Sequence, residues 1–201
     1  MIPRVMHQVW LGGEPLPGRY RAFIDGFKRL HPGWEHRLWR DDDMAPEWRP
    51  LIAQAKTLAA AANVARFAIV REHGGVYADL DFEFNQALDP FLAHRAFAGA
   101  SRLGYVPCGL FGAEPRHPVL EWVWSQLPAF VGARPPWGPV LLTWAVHTHY
   151  GTGFHVAPPD TFYPYEWDEP KRPASDFPGS VAVHHWDHTW KDWRKKGRGE
   201  S

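Results

Sequence analysis

The sequence contains a single cysteine, Cys108, which excludes an internal disulfide and fits a reducing compartment. It has no excess of either charge: 22 Lys and Arg balance 22 Asp and Glu. Nothing in that balance points to nucleic acid as a partner. Long hydrophobic runs are missing as well, since no stretch approaches a membrane span and the opening MIPRVMHQVW lacks the apolar core of a signal peptide. The expectation is a soluble, cytoplasmic protein. What the chain does have is 45% hydrophobic residues, 20 prolines and 12 tryptophans in 201 positions. That is ample for one core, and residues 1–190 read as a single domain. The tryptophans suit either aromatic core packing or stacking on sugars and nucleotides. The tail from Lys191, KDWRKKGRGES, is basic and expected to fray. Its WRKKGR allows peripheral contact with anionic lipid.

Along the chain, RVMHQVW reads as a first strand ending in the turn-rich LGGEPLPG. A helix follows over residues 19–31, with Phe23, Phe27 and Leu30 on one stripe. WEHRLW alternates as a second strand, and the DDD at 41–43 reads as a solvated loop. Residues 46–57 are expected to be helical from Pro46. LAAAANVARFAIVREH, residues 58–73, is a strong helix closed by Gly74 and Gly75. HRAFAGA, CGLFGA, GFHVAPP and SVAVHHW read as strands, and HPVLEWVWSQLPAF and PVLLTWAVHTHY as helices. Residues 158–180, rich in proline and aromatics, read as a loop. Alternating strands and helices predict an α/β fold around a mostly parallel sheet.

One stretch carries chemistry. In GGVYADLDFEF the apolar Val76, Ala78, Leu80, Phe82 and Phe84 alternate with Tyr77, Asp79, Asp81 and Glu83. Strand periodicity puts the acidic side chains on one face, about 6.6 Å apart. At that spacing they repel one another, and a bound cation turns the repulsion into attraction. Ligands of open α/β sheets bind beyond the carboxyl ends of the strands, where Asp79 and Asp81 fall. Oxygen ligands suit Mg²⁺ or Mn²⁺, and two carboxylates match a metal completed by a diphosphate.

The longer run ANVARFAIVREHGGVYADLD resembles the central motif of glycosyltransferase family 32, the DXD-containing sugar transferases. There a helix with Ser-Asp-x-x-Arg precedes Gly-Gly-x-Tyr-x-Asp-x-Asp. Arg66, Gly74, Gly75, Tyr77, Asp79 and Asp81 match it. IPRVMHQVWLGG is similar to the family's opening segment, WGPVLLT to its Gly-Pro segment, and VHHWDHTW to its closing His-x-Trp-x-x-Ser-Trp. The resemblance implies a GT-A type fold. It also implies transfer of a hexose from a UDP- or GDP-sugar to a glycan or other acceptor hydroxyl, with retention of configuration. Asp81, Asp79 and His184 would hold the metal, and Asp79 would also orient the sugar or ribose. Trp10 would cover the base, and Asn63 and Tyr77 would line the donor. Thr189 and Trp190 would lie over the phosphates as part of a closing lid.

The family's Ser-Asp is Ala62-Asn63 here, an amide in place of a carboxylate. Asn still exchanges hydrogen bonds with hydroxyls, yet the change also admits a second reading: a binding protein of the same fold without turnover. Asn63 and Arg66 share one helical face. Arg66 is placed either to hold a diphosphate or to fix Asp79. Which of His184 and His185 faces inward is undecided, because strand neighbours point oppositely. The histidines at 147, 149, 184, 185 and 188 lack cysteine partners and the spacing of a zinc site. Cys108, in VPCGLFG, is expected to be a buried thiol. A phosphatase of the haloacid dehalogenase type also uses Asp-x-Asp, but near the chain start and before Thr or Val, which ADLDFE does not match.

Overall fold

The computed structural model describes residues 1–132, 137–149 and 151–187. Its centre is helix α3, Leu58–His73, which the Thr57 side chain starts by accepting the Ala60 N–H at 3.1 Å. Gly74 ends the helix with φ 65° and Gly75 follows at φ 90°. A Cβ on Gly74 would meet Pro115 Cδ at 2.6 Å, and one on Gly75 would meet the Val5 carbonyl oxygen at 2.8 Å. The chain therefore reverses from helix into strand where only glycine fits.

Strand β3, Gly75–Ala78, lies inside a six-stranded sheet. The other members are β1 (Val5–Val9), β2 (Glu35–Trp39), β5 (Ala96–Gly99), β6 (Leu110–Ala113) and β7 (Phe154–Ala157), in the order β2-β1-β3-β6-β5-β7. β6 runs antiparallel to both neighbours and the remaining pairs are parallel. Alternation assigns the two faces. Tyr77, Phe111, Ala96 and Ala98 point into a core with α3, α4 (Pro118–Phe130) and α5 (Trp137–Thr148). Met6, Val76, Ala78, Phe97 and Leu110 point into a second core with Phe27 of α1 (Gly18–Leu30), Phe162 and Tyr163. With apolar neighbours on both sides, α3 is buried almost all round, as its alanine-rich sequence permits.

Three expectations change. The alternating run from Val76 to Phe84 is not one strand: it turns at Leu80–Asp81, with Phe82 N–H donating to Asp79 O at 3.2 Å. It resumes as β4, Phe82–Phe84, in a separate antiparallel pair with β8, Ala182–His184. The helix expected over 46–57 shortens to α2, Arg49–Ala53, because Thr57 must be extended to cap α3. Residues 158–180 form no open loop. They carry two short 3₁₀ turns, bury Phe162 and Tyr163 in the second core, and bury Tyr165 and Ala174 in a small cluster with Val183 of β8. The DDD segment is also a 3₁₀ turn, and Asp41 accepts the Gly12 N–H at 3.0 Å. Thr189, Trp190 and the tail lie outside the described residues. No helix among the described residues is long and apolar enough to cross a membrane.

Candidate functional site

Asp79 follows β3 directly, and its N–H donates to Gly109 O at 2.8 Å, which holds it at the sheet's carboxyl edge. Its Oδ1 accepts from Tyr77 Oη at 2.7 Å and from Arg66 Nη2 at 2.9 Å. Arg66 projects from α3, donates through Nη1 to Cys108 O at 2.8 Å and lies over the Tyr77 ring at 4.7 Å. Burial disfavours its charge, but the Asp79 carboxylate, together with Tyr77, Cys108 and Tyr163, more than offsets this and raises the guanidinium pKa. Burial likewise pushes the Tyr77 hydroxyl well up, so it stays a donor to Asp79. Of the two roles open to Arg66, the structure shows the second, fixing Asp79. Tyr77, which the resemblance places at the donor, is buried with its hydroxyl directed to the same carboxylate. It bears on a ligand through Asp79.

Asp81 lies two residues on, past the turn. Its Oδ1 is 3.0 Å from His184 Nε2, and its Oδ2 accepts the Asp187 N–H at 2.8 Å. Burial pushes this carboxyl up, while the His184 imidazole and the Asp187 amide pull it further the other way. The group ends well below the usual carboxylate range. His184 faces inward because β8 pairs with β4 in a register that sets it opposite Phe82, with the rings stacked at 4.4 Å. His185 points to the other face, where Nε2 lies 3.0 Å from Glu83 Oε2 and the ring stacks on Phe23 at 5.2 Å. The undecided pair is thereby resolved, and Glu83 leaves the acidic group.

One ligand atom each from Asp79, Asp81 and His184 lies within 4.8 Å of the others. The set fits a divalent cation: two carboxylate oxygens and one imidazole nitrogen suit Mn²⁺ or Mg²⁺ and leave positions for a diphosphate. The space is shaped for it too. A Cβ on Gly109 would come within 3.0 Å of Asp79 Oδ2 and 3.4 Å of His184 Cε1. His184 Nδ1 is buried without a partner among the described residues. Stacking on Phe82 and a tilted contact with Trp186, not a second hydrogen bond, therefore orient the ring.

Around this centre, Trp10 follows β1 directly, donates to Glu14 O at 2.7 Å and packs edge-on against Tyr20. It joins the small cluster that contains Leu80, the residue between the two aspartates. Asn63 is half-buried, with Oδ1 accepting from the Cys108 thiol at 3.7 Å. Gly138, from the Gly-Pro segment, packs against it so closely that a Cβ would meet Asn63 Nδ2 at 2.8 Å. Cys108 is buried as expected, and burial pushes its thiol up to about 11.

The family described as a glycosyltransferase sugar-binding region containing a DXD motif matches residues 17–98, the segment that carries Asn63, Arg66, Asp79 and Asp81. Over residues 17–98 the chain is similar to this DXD glycosyltransferase family. An uncharacterized glycosyltransferase of Acanthamoeba polyphaga mimivirus is 30% identical over 140 residues, covering 63% of this chain and 56% of that protein. Inositol phosphoceramide mannosyltransferase 1 of Schizosaccharomyces pombe is 33% identical over 141 residues, covering 64% and 44%. The chain thus spans about half the length of these DXD relatives. Among solved structures, the PaToxG glycosyltransferase superposes with a TM-score of 0.59 at 14% identity, covering 74% of this chain and 70% of that one. The galactosyltransferase LgtC, in complex with donor and acceptor sugar analogues, gives 0.57 at 10% identity, covering 96% and 93%. These likenesses identify the fold as GT-A, with the DXD pair at the edge of its sheet.

Sequence reasoning missed Gly109, whose role is the side chain it lacks, and Asp187, which acts through its backbone. It also missed the scaffold under the motif. His7 Nε2 lies 3.0 Å from Gly74 O, and Gln8 Nε2 donates to Asp79 O at 3.4 Å.

Proposed function

We propose that the chain is a metal-dependent hexosyltransferase that moves a hexose from a UDP- or GDP-sugar to an acceptor hydroxyl with retention. One observation carries this reading: Asp79 and Asp81, inside the matched DXD segment, converge with His184 at the carboxyl edge of the sheet. Breaking an anomeric bond to a nucleoside diphosphate leaves negative charge on the departing phosphates, and a site serves catalysis by stabilising it there. A bound Mn²⁺ or Mg²⁺ supplies that stabilisation as a Lewis acid. Asp81 and His184 would hold the ion. Asp79, whose Oδ1 is clamped by Arg66 and Tyr77, would help hold the ion and orient the sugar or ribose. Trp10 offers a flat surface for the base, and Thr189 and Trp190 are proposed to close over the phosphates. Both carboxylates of the centre are already hydrogen-bonded, which favours a front-face route in which the leaving phosphate takes the acceptor proton. The Schizosaccharomyces pombe relatives are inositol phosphoceramide mannosyltransferases, which supports mannose as one donor sugar to test and an inositol-type hydroxyl as one acceptor class.

Calorimetry with UDP and GDP, with and without Mn²⁺, is the test, followed by hydrolysis of a panel of UDP- and GDP-hexoses. Metal-dependent nucleotide binding that disappears in Asp81→Ala is expected, with a smaller loss in Asp79→Ala and little change in Glu83→Ala. Unchanged metal-dependent affinity in Asp81→Ala would falsify the site assignment. Asn63 favours one further reading, a binder without turnover, because its carbonyl already accepts from Cys108 and its amide is pressed against Gly138. Tight binding with no hydrolysis across the panel would select it.

A further inference from the structure

Asp187 supplies no atom to the cluster, yet it is firmly held beside it. Arg19 Nη1, from the first turn of α1, donates to both carboxylate oxygens at 2.9 Å, and Lys171 Nζ reaches Oδ1 at 2.5 Å. The Asp187 side chain is 10% exposed, although its two cationic partners are half-exposed. The chain reaches this position through Trp186, whose backbone is left-handed at φ 52°. That conformation is uncommon for a bulky residue and persists only where the surroundings over-determine it. Here Trp186 Nε1 donates to Tyr165 O at 3.0 Å, and its ring packs against His184 at 4.1 Å and Tyr163 at 5.8 Å. The reversal turns the Asp187 N–H onto Asp81 Oδ2, while Asp81 O accepts the His185 N–H at 3.0 Å.

We infer that Asp187, gripped by Arg19 and Lys171, is the positioning residue of the Asp79–Asp81–His184 centre. It holds one oxygen of Asp81 so that the other stays aimed at the cluster. The inference rests on reading that cluster as a divalent-cation centre. A carboxylate ligand with one oxygen fixed cannot rotate away. Partners of this outer kind are typically worth about 10- to 100-fold in metal affinity. The ion pairs themselves are too exposed to matter much as Coulomb energy. Their effect lies in where they place a backbone amide. The arrangement also joins α1, the 166–173 segment and the strap after β8 at one point, so losing both cations frees the strap.

The test titrates Mn²⁺ alone into the full chain and follows free Mn²⁺ by electron paramagnetic resonance, with thermal unfolding in parallel. Asp187→Ala is expected to weaken Mn²⁺ binding at least about tenfold with little change in melting temperature. The double variant Arg19→Gln/Lys171→Gln, which alters only half-exposed side chains, is expected to do the same. Lys171→Gln with Arg19→Lys, which keeps one cation on Asp187, recovers most of the affinity. Wild-type affinity in the folded double variant overturns the inference, and a lower melting point with unchanged affinity reduces Asp187 to a structural staple. If the wild-type chain binds no Mn²⁺, the cation reading itself falls. The two failures are therefore distinguishable.

Discussion

At the residue scale, the centre depends on an absent side chain as much as on its ligands. Gly109 leaves open the space that Asp79 Oδ2 and the His184 ring face. Gly109→Ala is expected to push that oxygen aside by a few tenths of an ångström, lowering Mn²⁺ affinity about tenfold at a folding cost of about 1 kcal/mol. Titration and urea unfolding of the same variant check both, and unchanged affinity would show that the oxygen moves without consequence. Asp79 and Asp81 were legible in the sequence because carboxylates at alternate positions beside an apolar row are costly without a purpose. Gly109 was not, since a glycine in CGLFG gives no sign of what approaches it. Nor was Asp187, whose contribution is an amide that every non-proline residue carries.

At the element scale, β1 is the scaffold on which the acidic turn is mounted. His7 is fully buried, accepts Trp39 Nε1–H on Nδ1 at 3.1 Å and donates from Nε2 to Gly74 O. Burial lowers its pKa from 6.5 to about 4, with the Gly74 carbonyl opposing only part of the shift. The unfolded chain takes up this proton near pH 6.5 and the folded one only near 4. The contribution of neutral His7 is therefore complete above pH 6.5 and falls away as pH drops towards 4, by about 3 kcal/mol. Burial lowers His36, on β2, to about 4 as well, and the same window applies. Urea unfolding at pH 7.5 and 4.5 should show this loss. His7→Leu should be less stable at pH 7.5, with Trp39 Nε1 and Gly74 O left without their partner, but should depend less on pH. An unchanged slope in that variant would remove His7 as its source. Helix α3 was legible at its C-terminal end because the Gly74–Gly75 pair is a chemical stop signal, whereas Thr57, which caps its start, was read into the helix expected over 46–57. The break between β3 and β4 was not, because side chains keep alternating through the Leu80–Asp81 turn while the backbone changes sheets.

At the scale of the whole molecule, the fold class could be read from the order of strands and helices, whereas the antiparallel β6 and the buried 158–180 segment emerge only from long-range pairing. The cluster itself is long-range. A cation that binds the folded chain and not the unfolded one stabilises it by about 2.7 kcal/mol at a hundredfold excess over its dissociation constant. For a chain of this size that is a rise in melting temperature of about 5–10 °C. Differential scanning fluorimetry with Mn²⁺ should show the shift in the wild type and none in Asp81→Ala or His184→Ala. A shift retained in both variants would place the ion elsewhere. The Asp81–His184 contact spans 103 positions, and that interval has a meaning in time. During synthesis the acidic pair leaves the ribosome well before its imidazole partner, so the nascent chain carries a half-made centre while the 103 positions between them are made. Competence at the site then arrives in one late step, and a chain interrupted before β8 holds the aspartates without the histidine that completes them.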